Sequence, residues 1–173
     1  MEEDDDKAYQ KESLAEILGR VLKLLSYRIE KQRIGVTTNI ADDVPEIYMN
    51  SNAIQQLILN LTTNAFDALE DSEKKEFNVD IHREGEFVRM TIADTGCGIA
   101  DESLTSIFDP FFTTKPIGQG TGLGLSISQG IVKMHKGRIT CESEPGAGTT
   151  FIILLPIEKK ERSKHYELAN ISN

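Results

Sequence analysis

The chain has 173 residues, 39% hydrophobic and 27% charged, which suits one globular domain with a sizeable core. A net charge of −9 argues against nucleic acid as a partner, because phosphate backbones reward lysine and arginine. The N-terminal residues do not read as a signal peptide, and no apolar run approaches the roughly 20 residues that span a bilayer. Cys97 and Cys141 form neither a metal-ligand spacing nor a disulfide framework, so a cytoplasmic setting without membrane contact is expected for this stretch.

Residues 1–12 open with "MEEDDDK", an acidic lead-in expected to be solvated and disordered or to derive from an expression tag. From about Ser13 to Arg33, Leu14, Ile17, Leu18, Val21, Leu22, Leu25 and Ile29 recur at helical spacing and predict one amphipathic helix. "GVTTNIA" (35–41) and "PEIYM" (45–49) read as short strands. Asn50 or Ser51 then supplies an N-cap for a long helix to about Leu69. "FNVDIHRE" and "EFVRMTIAD" alternate around Gly85 as a hairpin ending at Asp94. A glycine turn, a short helix near Asp101–Ser106 and a long irregular stretch follow. The next helix runs from about Gly124 to His135 and stops at Lys136–Gly137, where glycine suits the C′ position. "RITCESE", the turn "PGAG" and "TTFIILLPI" close the domain as a second hairpin, and residues 158–173 read as a charged tail. Interleaved helices and strands predict an α/β (α+β) two-layer sandwich over residues 13–157, a mixed sheet with helices on one face.

Three places carry chemistry. On the helix 51–69, Asn60, Asn64 and Asp67 share a stripe about 60° wide beside the apolar face. Their oxygens suit a hard cation with bound phosphates, or they are the polar flank of a half-exposed helix. Asp94 ends an apolar strand before Gly-x-Gly, and either caps the turn or accepts a hydrogen bond from an exocyclic amine in a pocket. "FDPFFTTKPIGQGTGLGLSIS" (108–128) has glycines at 118, 120, 122 and 124, but fits neither the P-loop nor the dinucleotide fingerprint. It reads as a flap anchored by Phe108, Phe111 and Phe112, hinged by glycine, and running into a helix N-terminus that favours phosphate.

In order, "NLTTNAFDAL", "DTGCGI", "FDPFFTTK", "GTGLGL" and "GAGTTF" resemble the N box, first glycine box, phenylalanine box, second glycine box and a third glycine motif. Together they resemble the ATP-binding catalytic domain of sensor histidine kinases, within the superfamily that includes gyrase, the Hsp90 chaperone and mismatch-repair ATPases. The wording around the phenylalanine box is similar to the nitrogen-regulation and dicarboxylate-sensing type. The resemblance covers about Leu14 to Pro156 and implies the Bergerat ATP-binding fold.

It also implies roles. Asn64 would coordinate Mg²⁺, with Asn60 as a second ligand or water holder and Asp67 near the phosphates. Gyrase-like relatives carry a water-activating Glu at the position of Asn60, so efficient hydrolysis by water is not expected. Asp94 would accept the adenine amino group, with Thr149 sharing a water, and Gly96 and Gly98 would let the backbone lie against the base. The segment from about Asp109 to Thr121 would be the ATP lid. Lys115 would reach the phosphates, and Gly120, Thr121, Gly122, Leu123 and Gly124 would belong to the same ATP-binding run. Asn60, Asn64 and Lys115 are thus the residues expected to serve transfer. Of the histidines, His82 sits in a strand, His135 at a helix end, and His165 lies in the tail without the acidic and proline context of an acceptor. The implied phosphoacceptor and dimerisation domain, and the response regulator beyond it, would therefore be partners outside this chain. A nucleotide-binding switch, or an ATPase or serine kinase of the same fold, is the competing expectation.

Overall fold

The computed structural model describes residues 9–114 and 120–158. In chain order its elements are β1 (Tyr9–Glu12), α1 (Leu14–Leu24), α2 (Ser26–Gln32), β2 (Gly35–Ile40), β3 (Ile47–Asn50), α3 (Ser51–Ala68), β4 (Glu76–Glu84), β5 (Phe87–Asp94), α4 (Asp101–Leu104), α5 (Gly124–Met134), β6 (Arg138–Glu144) and β7 (Gly148–Pro156). Five strands form one sheet in the order β2-β4-β5-β7-β6, and β1 and β3 form a separate two-stranded ribbon. Only β2 and β4 run parallel within the large sheet, so it is mixed, as expected.

Strand alternation builds the core. Phe77, Val79 and Ile81 of β4, Val88, Met90 and Ile92 of β5, and Phe151, Ile153 and Leu155 of β7 are all buried. Register places them on one face, with Val79 opposite Ile92 and Met90 opposite Ile153. A period-2 strand thus offers one apolar face, which α3 covers at β5 and β7 while α5 covers β6 and α1 packs on α3. The helix α3 is central because its apolar residues recur at helical spacing: Ile54, Leu57, Ile58, Leu61 and Ala65 are buried. Thr62 and Phe66 are buried as well, and the Phe66 ring meets the edge of Phe77 at 5.2 Å between centroids. The Asn50 side chain caps α3 by accepting from the Ala53 amide at 3.1 Å.

Four features differ from the sequence reading. The helix expected over 13–33 breaks at Leu25 (φ −93, ψ 6), and α2 buries none of its residues fully, so no continuous packed face holds one axis across the junction. Residues 9–12, read as part of the acidic lead-in, form β1, pairing antiparallel with β3 from Tyr9 opposite Asn50 to Glu12 opposite Ile47. At the end of α5 the left-handed position is Lys136 (φ 58), not Gly137. Gly137 is needed instead for space: a Cβ there would strike the Leu154 carbonyl oxygen of β7. Finally, Phe108 and Phe112 pack against the core, but Phe111 is 75% exposed, turned outward by its left-handed backbone (φ 68).

Candidate functional site

Where β5 ends, α3 turns over the sheet and α5 begins, the molecule has a cleft of about 690 Å³. Asn60, Asn64 and Asp67 of α3 line it together, as their shared stripe predicts. Asp94, Gly98, Gly120, Thr121, Gly122, Gly124 and Thr149 line it too. Gly96 and Leu123 stand next to lining residues but are not themselves part of the wall. Lys115, and the glycine at 118 of the flap, lie outside the described residues.

At the closed end, Asp94 is only 8% exposed. Its Oδ1 accepts the Gly96 amide at 2.8 Å, and the Thr149 amide also donates to the carboxylate. Burial wins over these two donors and pushes the Asp94 pKa up to about 6. The surrounding glycines make this geometry possible. A Cβ at Gly96 would press on Ala68 and on Asp94 Oδ1, each at 2.7 Å or less, and one at Gly148 (φ +119) would strike the Asp94 carbonyl. At Gly98 (φ +71) it would strike the Glu144 carbonyl. Hence the protein itself needs the first glycine box bare, whatever ligand enters. Thr149 is buried and its hydroxyl lies 2.9 Å from Ser143 Oγ, which also donates to Gly148 O and accepts the Ile99 amide. Ser143 was not singled out from sequence, because it sits in an edge strand with no motif around it.

At the open end α5 starts without a side-chain cap, so its first amides face the cleft unclaimed by any capping oxygen. Asn60 Nδ2 donates to Gly124 O at 3.2 Å, joining α3 to that helix start and leaving Oδ1 to face away from the bond. Phe111 donates its amide to Gly122 O at 2.9 Å, so the chain before and after residues 112–121 is clasped together. A Cβ at Gly122 (φ +66) would collide with the Phe111 backbone, which explains one glycine of the run directly. Gly124, by contrast, borders open space. Arg28 of α2, also absent from the sequence reading, forms an ion pair with Asp67. No local signal marks it, since 39 residues separate the partners.

His135 proves structural. Its Nδ1–H donates to Ile131 O at 2.7 Å, while Nε2 accepts the Asn50 amide at 3.1 Å. Burial holds its pKa down, so the ring stays neutral with both nitrogens used.

A buried acceptor at one end of a cleft and an uncapped helix start at the other, with amides and a carboxylate between, make this a two-layer α/β sandwich with a polar cleft at the edge of its sheet. Comparison with known proteins makes this specific. Residues 49–159 match the family described as histidine kinase-, DNA gyrase B-, and HSP90-like ATPase. The sensor histidine kinase ZraS of Escherichia coli (strain K12) is 35% identical over 150 residues, covering 87% of this chain and 31% of ZraS. The nucleotide-free catalytic domain of histidine kinase ThkA superposes with a TM-score of 0.75 at 31% identity, covering 87% of this chain and 96% of that domain. ThkA in complex with the response regulator protein TrrA gives a TM-score of 0.73 at 27% identity, over 86% of this chain and 42% of that one. The chain belongs to the histidine kinase, gyrase B and HSP90-like ATPase family, in the company of sensor histidine kinases. It spans under a third of the length of ZraS, so it matches the catalytic domain and not the whole kinase. Among the described residues, no helix is long and apolar enough to cross a membrane.

Proposed function

We propose that this chain binds Mg-ATP in the cleft and donates the γ-phosphoryl group to a histidine on a separate dimerisation and phosphoacceptor domain. A response regulator receiver domain would then take the phosphoryl group, as the ThkA–TrrA complex suggests for that kinase. The observation that carries the reading is Asp94: a desolvated carboxylate at the closed end, in reach of an amine donor such as that of adenine. The triphosphate would then point toward Asn64, Asp67 and the amides at the start of α5.

The oxygen donors fit a hard cation. Asn64 Oδ1 would be the main protein ligand, with Asn60 Oδ1 beside it because the Asn60 nitrogen is taken by Gly124 O. Among the described residues no group of three His, Cys, Asp or Glu could hold a metal unaided, so the nucleotide phosphates would complete its shell. Mg²⁺ bound there would neutralise charge on the transferring phosphoryl group. The protein's own share is positioning: Asp94 and Thr149 fix the base, Asn60 ties α3 to the helix start, and α5 amides hold phosphate oxygens. The attacking imidazole nitrogen would come from the partner domain. The N–P bond would form as the bond to the β,γ-bridging oxygen breaks, leaving ADP.

Mixing this chain with its acceptor domain and radiolabelled ATP tests the reading. Acid-labile label on the acceptor is expected, as for phosphohistidine. Acid-stable label would indicate a serine kinase, and ATP binding without any transfer would favour a nucleotide switch.

A further inference from the structure

The cleft has a charge problem as a site for a triphosphate. Its described lining includes the carboxylates Asp67, Glu70 and Asp94 but no lysine, arginine or histidine. Asp94 sits at the buried end, so the carboxylate that faces the phosphate end from the N-box stripe is Asp67. Left uncompensated, a charge there would repel a polyanion across a partly desolvated gap, where Coulomb interactions are stronger than in bulk water.

We infer that Arg28 is a positioning residue for the triphosphate. Its Nη2 pairs with Asp67 Oδ1, and both side chains are about two-thirds buried, at 30% and 35% exposure. Two further contacts fix the guanidinium: Nε donates to Gln32 Oε1 at 3.2 Å, one turn on in α2, and the group lies over the Phe66 ring at 5.7 Å from its centroid. Arg28 therefore stands behind the cleft wall. It cancels the charge of Asp67 and holds that carboxylate toward α2, so the end of the cleft where phosphates would lie is relieved of a repelling charge. Helix α2 buries no residue fully, so packing alone gives no reason for a clamped arginine on it. This inference rests on the reading of the cleft as an ATP site.

Titration calorimetry of the full chain with Mg²⁺ and a non-hydrolysable ATP analogue, and separately with adenosine, tests it. Arg28→Gln is expected to weaken the triphosphate roughly tenfold at low salt and less at high salt, with adenosine affinity unchanged. Asp67→Asn in the Arg28→Gln background is expected to restore most of the loss. Asp67→Asn alone is expected to tighten triphosphate binding, and this variant keeps the stacked arginine should Arg28→Gln fold poorly. An equal loss for adenosine and triphosphate would mean a merely structural arginine and would overturn the inference. Unchanged triphosphate binding in Arg28→Gln, or weaker binding in Asp67→Asn, would also overturn it while leaving the ATP site intact. Failure of the unaltered chain to bind the analogue would overturn both.

Discussion

Asp94 shows how a single residue can work against the fold that carries it. Its carboxyl is raised from 3.8 to about 6 by burial, so folding binds a proton more readily than the unfolded chain does. The contribution of this group to stability is therefore full below about 3.8 and is lost as pH rises through about 6. At neutral pH the ionised group costs roughly 3 kcal/mol, taking 1.36 kcal/mol per pH unit. Asp94→Asn is expected to raise the thermal midpoint of the ligand-free chain at pH 7.5 and to weaken nucleotide binding. The amide mismatch with an amino donor costs about 1–3 kcal/mol. A scanning fluorimetry series with and without nucleotide checks both arms; an unchanged nucleotide shift removes Asp94 from the pocket. Adenosine affinity is expected to fall as pH drops below about 6 in the natural chain and to stay flat in Asp94→Asn, because only the charged carboxylate lacks a competing proton. Thr62 is a second case at this scale. Its hydroxyl is buried in α3 without a hydrogen-bond partner, so Thr62→Val is expected to stabilise the chain by about 1 kcal/mol in urea unfolding.

At the scale of elements, the end of α5 separates two demands that the sequence merges. Lys136 takes the left-handed turn and Gly137 takes the close approach to β7. Lys136→Gly is therefore expected to stabilise by up to about 1 kcal/mol, since a side chain in the left-handed region costs about that much. Gly137→Ala is expected to destabilise by more, because the Leu154 carbonyl belongs to a central strand and cannot move aside without breaking its pairing with β5 and β6. Denaturant midpoints of the two variants check the pair, and a Gly137→Ala change milder than Lys136→Gly would reverse the assignment. The same logic explains the Phe111–Gly122 clasp. The glycine is bare because a backbone lies against it, so Gly122→Ala should disturb both Phe111 and the residues around position 122.

For the whole molecule, the ribbon of β1 and β3 ties the start of the chain to the far end of the helix that opens the cleft. The Tyr9 ring lies tilted against His135 at 5.0 Å between centroids, His135 accepts from the Asn50 amide, and Asn50 caps α3. A chain beginning at Ser13 is expected to lose roughly 1–2 kcal/mol of stability relative to one that keeps β1, through the lost aromatic pair and strand pairing. Equal thermal midpoints for the two chains would show that β1 is dispensable. Hydrogen exchange is expected to show the amides of Gly124 and Leu125 gaining protection on adding Mg-ATP, since the start of α5 has no side-chain cap without it.

Local pattern settled much of this protein. Period-2 alternation in 76–94 and 148–156, helical spacing in 51–69 and the glycine motifs are short-range facts, and they carried the fold class and the stripe of Asn60, Asn64 and Asp67 into the observed cleft. Glycines were harder to read, because a bare Cα looks the same whether it serves a ligand, a turn or a neighbouring strand; only the packing of Gly96, Gly122, Gly137 and Gly148 told these apart. Contacts between segments far apart in sequence were beyond reach altogether. The pairing of Tyr9–Glu12 with β3 and the Arg28–Asp67 ion pair each join residues that no local period relates. Charge and polarity fix what a residue can bond to, but which partner it meets is decided when the sheet and helices bring their faces together.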